Sequence, residues 1–377
     1  MNVGIDARLL HSTTGIGRYT RSLVFEYTQR EYFQNDRLVL FSDAPVPPEQ
    51  QIISDNVEVV ISCCQHRILW TNWYLPPLLQ RHKIDVYHGV CNFELPIRKV
   101  CRYVVTIHDL VPLFFPELVP QKHLLFFRLF MKRVAHTADL IITDSEHSKK
   151  DIIQFLKVPE KKIRVIYLGY QQQYHRIQEQ QRISEVLARY RIRQPYLLFV
   201  GVIEPKKNLE RLVEAYSLLQ KNAAISKEMQ LVIAGGEGWF SERLYRKVKD
   251  CKLEQQIVFP GYIPDECLPT LYSGAELFVF PSIYEGFGLP VLEAMSYRVP
   301  VVTSNVSSLP EIAGEAGVLI DPHQPDAIAR GILKVLSDRQ LQEQMREKGY
   351  RQAQRFSWER TAQETYQVYR EIYENRN

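Results

Sequence analysis

The sequence predicts an α/β protein made of two doubly wound, Rossmann-like domains with parallel sheets. Three observations predict it. Short, nearly continuous apolar and β-branched runs recur with helical periodicity between them, as expected of strands buried on both faces of a parallel sheet. That alternation stops over residues 171–194, where Gln, Arg and Tyr dominate, and then resumes, which describes two domains and a break. The length of 377 residues suits two domains of roughly 150 residues each.

Strands of the first run are expected at 3–6, 38–41, 57–61, 86–88, 103–107, 140–143 and 165–167, with helices over 18–30, 73–82 and 122–137. Ser148-Lys149-Lys150-Asp151 has capping-box form and is read as the start of a further helix. Strands of the second run are expected at 196–200, 231–234, 257–259, 277–280, 299–303 and 318–320. The expected organisation is an N-terminal domain over 1–172, a linker over 173–195 and a second domain over 196–357. A final helix over 358–377 carries Thr361, Ala362, Thr365, Tyr366, Val368, Tyr369 and Ile372 near helical spacing. It follows the last element of the second domain and is free to pack back across the first. The only low-complexity tract is Gln171-Gln172-Gln173.

Composition excludes several classes. Hydrophobic residues make up 45% and charged residues 24%, so the chain is not disordered. No apolar run reaches the ~18–20 residues of a membrane span, and the N-terminus lacks signal-peptide architecture. Cys63, Cys64, Cys91, Cys101, Cys251 and Cys267 form no CxxC pair and no metal-ligand spacing. A reduced, cytoplasmic protein is expected. A net charge of +4 speaks against nucleic acid and suits phosphorylated substrates or an anionic membrane equally well.

Ligands of open α/β sheets sit beyond the carboxyl ends of the strands, and pockets favour domain interfaces, so the informative residues should follow strands. The densest such feature runs from Pro281 to Met295 through Glu285-Gly286-Phe287-Gly288-Leu289-Pro290. Its two glycines make a tight loop that opens a helix, and Pro290 suits the first turn. Loop amides at a helix N-terminus seat phosphate or sugar hydroxyls. Glu285 in the loop and Glu293 one turn into the helix accept hydrogen bonds from hydroxyls. A ligand with a ribose, a diphosphate and a sugar would use all of these parts.

Gly201-Val202-Ile203-Glu204-Pro205-Lys206-Lys207-Asn208 also follows a strand. Adjacent lysines can neutralise a departing diphosphate, and Asn208 reads as an N-cap. Alone, two lysines more often mark a solvated helix start; their position facing the glutamate loop across neighbouring strand ends is what favours the diphosphate reading. Gly15-Ile16-Gly17-Arg18-Tyr19-Thr20 approaches the dinucleotide fingerprint, but Thr20 replaces the third glycine and Gly15 lies nine residues beyond Asp6. A loop admitting an acceptor or phosphate to the backbone fits better, with Arg18 as an anion contact. His108-Asp109 leaves a strand end and suits positioning of a reacting sugar. No GxSxG elbow exists for a Ser-His-Asp triad. No DxD, Walker A or HExxH occurs, so neither a metal nor a cofactor is expected.

With Glu285 and Glu293 eight apart in EGFGLPVLE, the chain resembles the retaining glycosyltransferases of family 4, of the GT-B fold. The resemblance extends to Asp6-Ala7-Arg8, the Thr14–Thr20 loop, His108-Asp109, Thr143 to Ser148, 200–209, Ala234-Gly235-Gly236, Leu309-Pro310-Glu311 and Phe356-Ser357-Trp358. It implies two domains facing across a cleft, a C-terminal helix crossing back to the first domain, and transfer without a metal. It also implies that Glu293 binds the donor ribose. Glu285, with the amides of Gly286, Phe287, Gly288 and Leu289, would hold the sugar and pyrophosphate. Lys207 and Lys206 would stabilise the departing diphosphate. Gly15 and Gly17 would lie beside phosphate or acceptor, and His108 would contact the hexose. Two departures stand out: Val202 where many members carry Arg, and Tyr297-Arg298 where small residues are usual.

The expected reaction moves glucose or mannose from UDP-glucose or GDP-mannose to a glycan or polyprenyl-linked oligosaccharide, as in exopolysaccharide or O-antigen synthesis. Retention calls for a covalent intermediate or same-face attack, and same-face attack is favoured because no nucleophile is named. The aromatic and basic residues of 121–136, including Phe126, Phe127, Arg128, Phe130, Lys132 and Arg133, suit either a core helix with a basic outer face or peripheral membrane contact. Two rivals are a nucleotide-sugar epimerase, which would turn over without acceptor, and a non-catalytic sugar-nucleotide-binding protein.

Overall fold

The computed structural model describes residues 1–12, 14–46, 56–62, 64, 66–170 and 176–375. Cys63, the glutamines 171–173 and the start of the expected linker lie outside the described residues, as does the side chain of Phe126. The chain divides into two units. One comprises Met1–Pro116, Gln121–Gly169 and Ser357–Asn377; the other comprises Tyr170–Phe356 with Glu117–Pro120.

The first unit holds a seven-stranded sheet of β1 (Asn2–Asp6), β2 (Arg37–Ser42), β3 (Val57–Ile61), β4 (Val86–Gly89), β5 (Arg102–Thr106), β6 (Leu140–Thr143) and β7 (Ile163–Val165). Its order is β3-β2-β1-β4-β5-β6-β7. Every pairing is parallel, with Val3 opposite Leu38 and Val86. The central strands are buried along most of their length, with the polar Asp6, His88 and Thr106 among their buried residues. The edge strand β3 is half-buried, and its Glu58 pairs with Arg37 and with His82 at 3.2 Å.

The second unit holds β8 (Tyr196–Val200), β9 (Gln230–Ala234), β10 (Ile257–Gly261), β11 (Leu277–Phe280), β12 (Val301–Ser304) and β13 (Val318–Ile320), ordered β10-β9-β8-β11-β12-β13, again all parallel. Both sheets thus reverse strand order once, between β1 and β4 and between β8 and β11. Such switch points are where doubly wound sheets bind ligands.

Two strands begin elsewhere than their apolar runs suggest. β7 starts two residues early because Arg164 sits within it at the sheet edge, bonding Glu371. β12 starts after Pro300, which has no N–H to pair but whose carbonyl accepts from the Phe278 amide at 2.9 Å. The helix expected over 73–82 is Leu75–Arg81, preceded by a π turn at Trp70–Tyr74, with Pro76 in its first turn. Ser148 is not the cap of its helix. Ser145 is, accepting from the Ser148 amide at 3.1 Å ahead of Glu146–Leu156. The stretch read as linker contains a helix, Gln180–Arg189, whose Ile183 and Leu187 are buried one turn apart.

The helix Trp358–Glu374 is seated on the first unit. Ser357 caps it, Thr361 Oγ1 donates to the Tyr167 carbonyl at 2.7 Å, and Tyr27 donates to the Ala362 carbonyl at 3.1 Å. At its far end the Tyr369 hydroxyl lies 2.7 Å from His88 Nδ1, while His88 Nε2 lies 2.8 Å from Thr106 Oγ1. All three residues are fully buried. Burial, with His108 nearby, pushes His88 down to about 3, so a neutral ring meets two hydroxyls. Tyr369→Phe strands one ring nitrogen and is expected to cost about 1–3 kcal/mol, read as a lower urea midpoint with an unchanged slope.

Candidate functional site

The β8–β11 switch point gathers the two loops singled out in the second unit. β8 ends at Val200 and leads into Pro205–Lys207, a single 3₁₀ turn. β11 ends at Phe280 and leads through Glu285 to the helix Leu289–Ser296. Neighbouring strands therefore deliver Lys207 and Glu285 to one point. Lys207 Nζ donates to Glu285 Oε1 at 2.6 Å, with both residues buried at 8% and 7% exposure. The ammonium also lies 5.0 Å from the centre of the Phe280 ring, which stacks on Phe199 at 5.5 Å. Burial pushes the Glu285 carboxyl up, but Lys207 and then Lys206 outweigh it and hold it below its ordinary value. The site is a desolvated ion pair with the carboxylate ionised.

Asn208 does not cap its helix with its side chain. It takes left-handed backbone angles, and its amide instead donates to the carbonyls of Pro281 at 3.1 Å and Pro322 at 2.6 Å. The Lys206 carbonyl accepts from the Ile283 amide at 2.9 Å, a second tie between the loops. Lys206 itself is half-buried, with Nζ 3.5 Å from Glu204 Oε1. Val202, one of the two departures from the resemblance, is exposed and supplies no cation.

The glutamate loop is braced from outside. The Glu285 amide donates to Ser307 Oγ at 2.9 Å, and Ser308 Oγ donates to the carbonyls of Glu285 at 2.9 Å and Phe287 at 2.7 Å. Nothing in the sequence marks Ser307 or Ser308 as supports of this loop. Phe287 packs edge-on against Phe356 at 5.9 Å. Gly288 enters the helix at φ +113°, and a Cβ there would come 2.8 Å from Leu309, so this turn requires glycine. Leu289 opens the helix and is buried.

Glu293 is half-buried on that helix. The Tyr272 hydroxyl donates to its Oε2 at 3.0 Å, and the Tyr272 ring stacks on Tyr297 at 5.3 Å. The unusual Tyr297 thus has a partner, and Arg298 lies 4.2 Å over the Tyr350 ring. Tyr272 escaped the sequence reading because it lies on a short helix, Leu268–Ser273, with no motif around it.

His108, Gly15 and Gly17 belong to the first unit. His108 follows β5, with Nδ1 2.6 Å from Asp144 Oδ2 and Nε2 3.0 Å from the Val90 carbonyl. A carbonyl only accepts, so Nε2 carries a proton, and the second proton is held between Nδ1 and Asp144. Burial lowers the His108 value, but Asp144 and the Val90 carbonyl more than offset it and raise it. Burial pushes the Asp144 carboxyl up as well, and both ring nitrogens are engaged, so the imidazole is held in one orientation and shares a proton with Asp144. Gly15 is exposed at the start of the helix Gly15–Gln29, where Thr14 Oγ1 accepts from the Gly17 amide at 3.4 Å. Gly17 serves the turn itself: a Cβ would fall 2.0 Å from the Ser12 carbonyl oxygen.

Residues 13–173 match the family model of glycosyltransferase family 4, and residues 188–352 match that of glycosyl transferases group 1. The chain is 39% identical to O-antigen chain mannosyltransferase B of Escherichia coli over 293 residues, 78% of this chain and 76% of that protein. It is 31% identical to the serotype-specific mannosyltransferase WbdA of the same organism over 71% of this chain, which spans 33% of WbdA. Sucrose-phosphate synthase from Thermosynechococcus elongatus shares the fold at a TM-score of 0.76 and 20% identity over 99% of each chain. Anabaena Alr3699/HepE, solved with UDP and glucose, does so at 0.76 and 17% over 98% of this chain and 100% of that one. The two sheets are those of the GT-B fold, and the chain belongs to glycosyltransferase family 4, alongside transferases of polysaccharide assembly.

Proposed function

We propose that the protein transfers a hexose, mannose before glucose, from GDP-mannose or UDP-glucose to a glycan or polyprenyl-linked oligosaccharide, with retention and without a metal ion. The buried Lys207–Glu285 pair at the β8–β11 switch point carries this reading. Breaking the anomeric C–O bond places negative charge on the nucleoside diphosphate, and a preorganised ammonium in a desolvated site stabilises it. Lys206 beside it and the amides of Gly286, Phe287, Gly288 and Leu289 at a helix N-terminus add to the same field. The mannosyltransferase relatives support mannose.

Glu293 takes the ribose hydroxyls and Glu285 the hydroxyls of the sugar. Glu285 is tied by Lys207 at 2.6 Å, which favours an anchor over a nucleophile, and hence same-face attack. Gly15, Gly17 and His108 are assigned to substrate contact by the resemblance, with Gly17 limited to its backbone and His108 to groups other than its engaged nitrogens.

The test is to supply each donor in EDTA with a lipid-linked glycan acceptor, follow nucleoside diphosphate, and determine the anomeric configuration of the product by NMR. An α-mannoside from GDP-mannose is expected. A β-linked product, or an absolute need for a divalent ion, would overturn the mechanism. Tyr272→Phe keeps the stack on Tyr297 but removes the bond to Glu293. It is expected to raise the donor KM about fivefold with kcat nearly unchanged, in steady-state assays.

A further inference from the structure

We propose that Ser308 is a positioning residue for the glutamate loop: by holding the carbonyls of Glu285 and Phe287 it aims the amides of Gly286 and Gly288 at the departing diphosphate. Ser308 stands at the N-cap of the helix Leu309–Ala313, where serine is a favoured cap, yet its hydroxyl makes no bond to that helix. It is fully buried and donates instead to the carbonyls of Phe287 at 2.7 Å and Glu285 at 2.9 Å. Ser307 joins it, donating to the same Glu285 carbonyl at 2.5 Å and accepting from the Glu285 amide at 2.9 Å. To do so Ser307 takes φ +61°, left-handed backbone that a residue other than glycine keeps only when its surroundings hold it there.

The two clamped carbonyls belong to the peptide bonds Glu285–Gly286 and Phe287–Gly288. A trans peptide is planar, and its N–H points opposite to its C=O. Holding both carbonyls on one side therefore fixes the amides of Gly286 and Gly288 on the other. Strand order says which side that is. β11 lies between β8 and β12. The turn after β12, with Ser307 and Ser308, thus flanks the glutamate loop on one side, and the turn after β8, with Lys207, flanks it on the other. The amides face the side where Lys207 stands and add two aligned donors to its charge. Both clamped bonds also precede a glycine. Rotating such a peptide changes φ of the residue after it, and glycine tolerates either sign. These are the bonds of the loop most able to flip, and a flip would turn a carbonyl oxygen toward the diphosphate. Gly288, at φ +113°, opens the helix Leu289–Ser296, so its amide gains from the helix N-terminus as well. This role rests on the transferase reading and narrows its loop amides to two aimed donors.

Ser308→Ala and Ser308→Cys are compared with wild type. Alanine removes the hydroxyl, whereas cysteine keeps the side chain's reach but is a weak donor. GDP and UDP affinities are measured by calorimetry in EDTA, and those of guanosine and uridine by competition with the diphosphate that binds. Both variants are expected to bind the diphosphate about tenfold more weakly, with nucleoside affinity unchanged, and turnover should fall at least about tenfold. If the alanine protein does not fold, the cysteine protein carries the same comparison. Diphosphate and nucleoside weakening together, or cysteine restoring diphosphate binding in full, would reduce Ser308 to packing and overturn the proposal. So would diphosphate binding that both variants retain. Wild type binding neither diphosphate would overturn the donor reading itself, and this role with it.

Discussion

Lys207→Ala is expected to lower kcat about 10²–10³-fold, the usual effect of removing one preorganised donor from a site where charge develops. The reason is location. The ammonium sits at 8% exposure, 2.6 Å from Glu285 and over the Phe280 face, so water screens little of its field. Lys206 is half-buried and 3.5 Å from Glu204, so it replaces only part of the effect, and Val202 contributes no cation. Lys206→Ala should therefore cost less than Lys207→Ala. Steady-state kinetics with the preferred donor check this ordering, and a Lys207→Ala enzyme within threefold of wild type would remove Lys207 from the chemistry.

The same pair has a large expected effect on stability. Glu285→Ala leaves a buried ammonium without its partner, and Lys207→Ala leaves a buried carboxylate. Each is expected to destabilise by about 3–5 kcal/mol, whereas Lys207→Ala/Glu285→Ala should lose much less than the sum. A double-mutant cycle by urea unfolding measures the difference; additive losses would mean that the pair is not coupled. The pH dependence has a definite sign. Glu285 is held below its ordinary value when folded, so its contribution is present above the unfolded carboxylate value of about 4.3. It is lost as pH falls through the lower folded value. Wild type should lose this contribution on acidification below about pH 4, and the double variant should not.

Much of the fold was legible because parallel strands are buried on both faces, and that burial writes itself as short apolar runs such as Leu38–Phe41 within β2. Boundaries failed where one residue broke the code, Arg164 inside β7 and Pro300 ahead of β12. The helix Gln180–Arg189 was hidden because only Ile183 and Leu187 mark its inner face amid polar text. In the site, the residues at strand ends were readable since switch-point loops carry glycine, lysine and glutamate together. Their supports were not. Tyr272, Asp144, Ser307 and Ser308 act through contacts 21 to 36 residues away in sequence, which no local spacing encodes. Asn208 and Ser148 show the converse: a residue with the right type for a cap is recruited elsewhere once tertiary partners are present. Asn208 bonds two proline carbonyls, and Ser148 donates to the His108 carbonyl at 3.2 Å.

The central claim is that the second unit holds a nucleoside diphosphate through Lys207, Glu285 and Glu293 without a metal. Calorimetric titration with GDP and UDP in EDTA tests it directly, with Glu293→Ala and Lys207→Ala alongside. The account predicts saturable binding of one nucleotide, weakened at least about tenfold in both variants. Absence of saturable binding to either nucleotide, or binding that both variants retain in full, would contradict it.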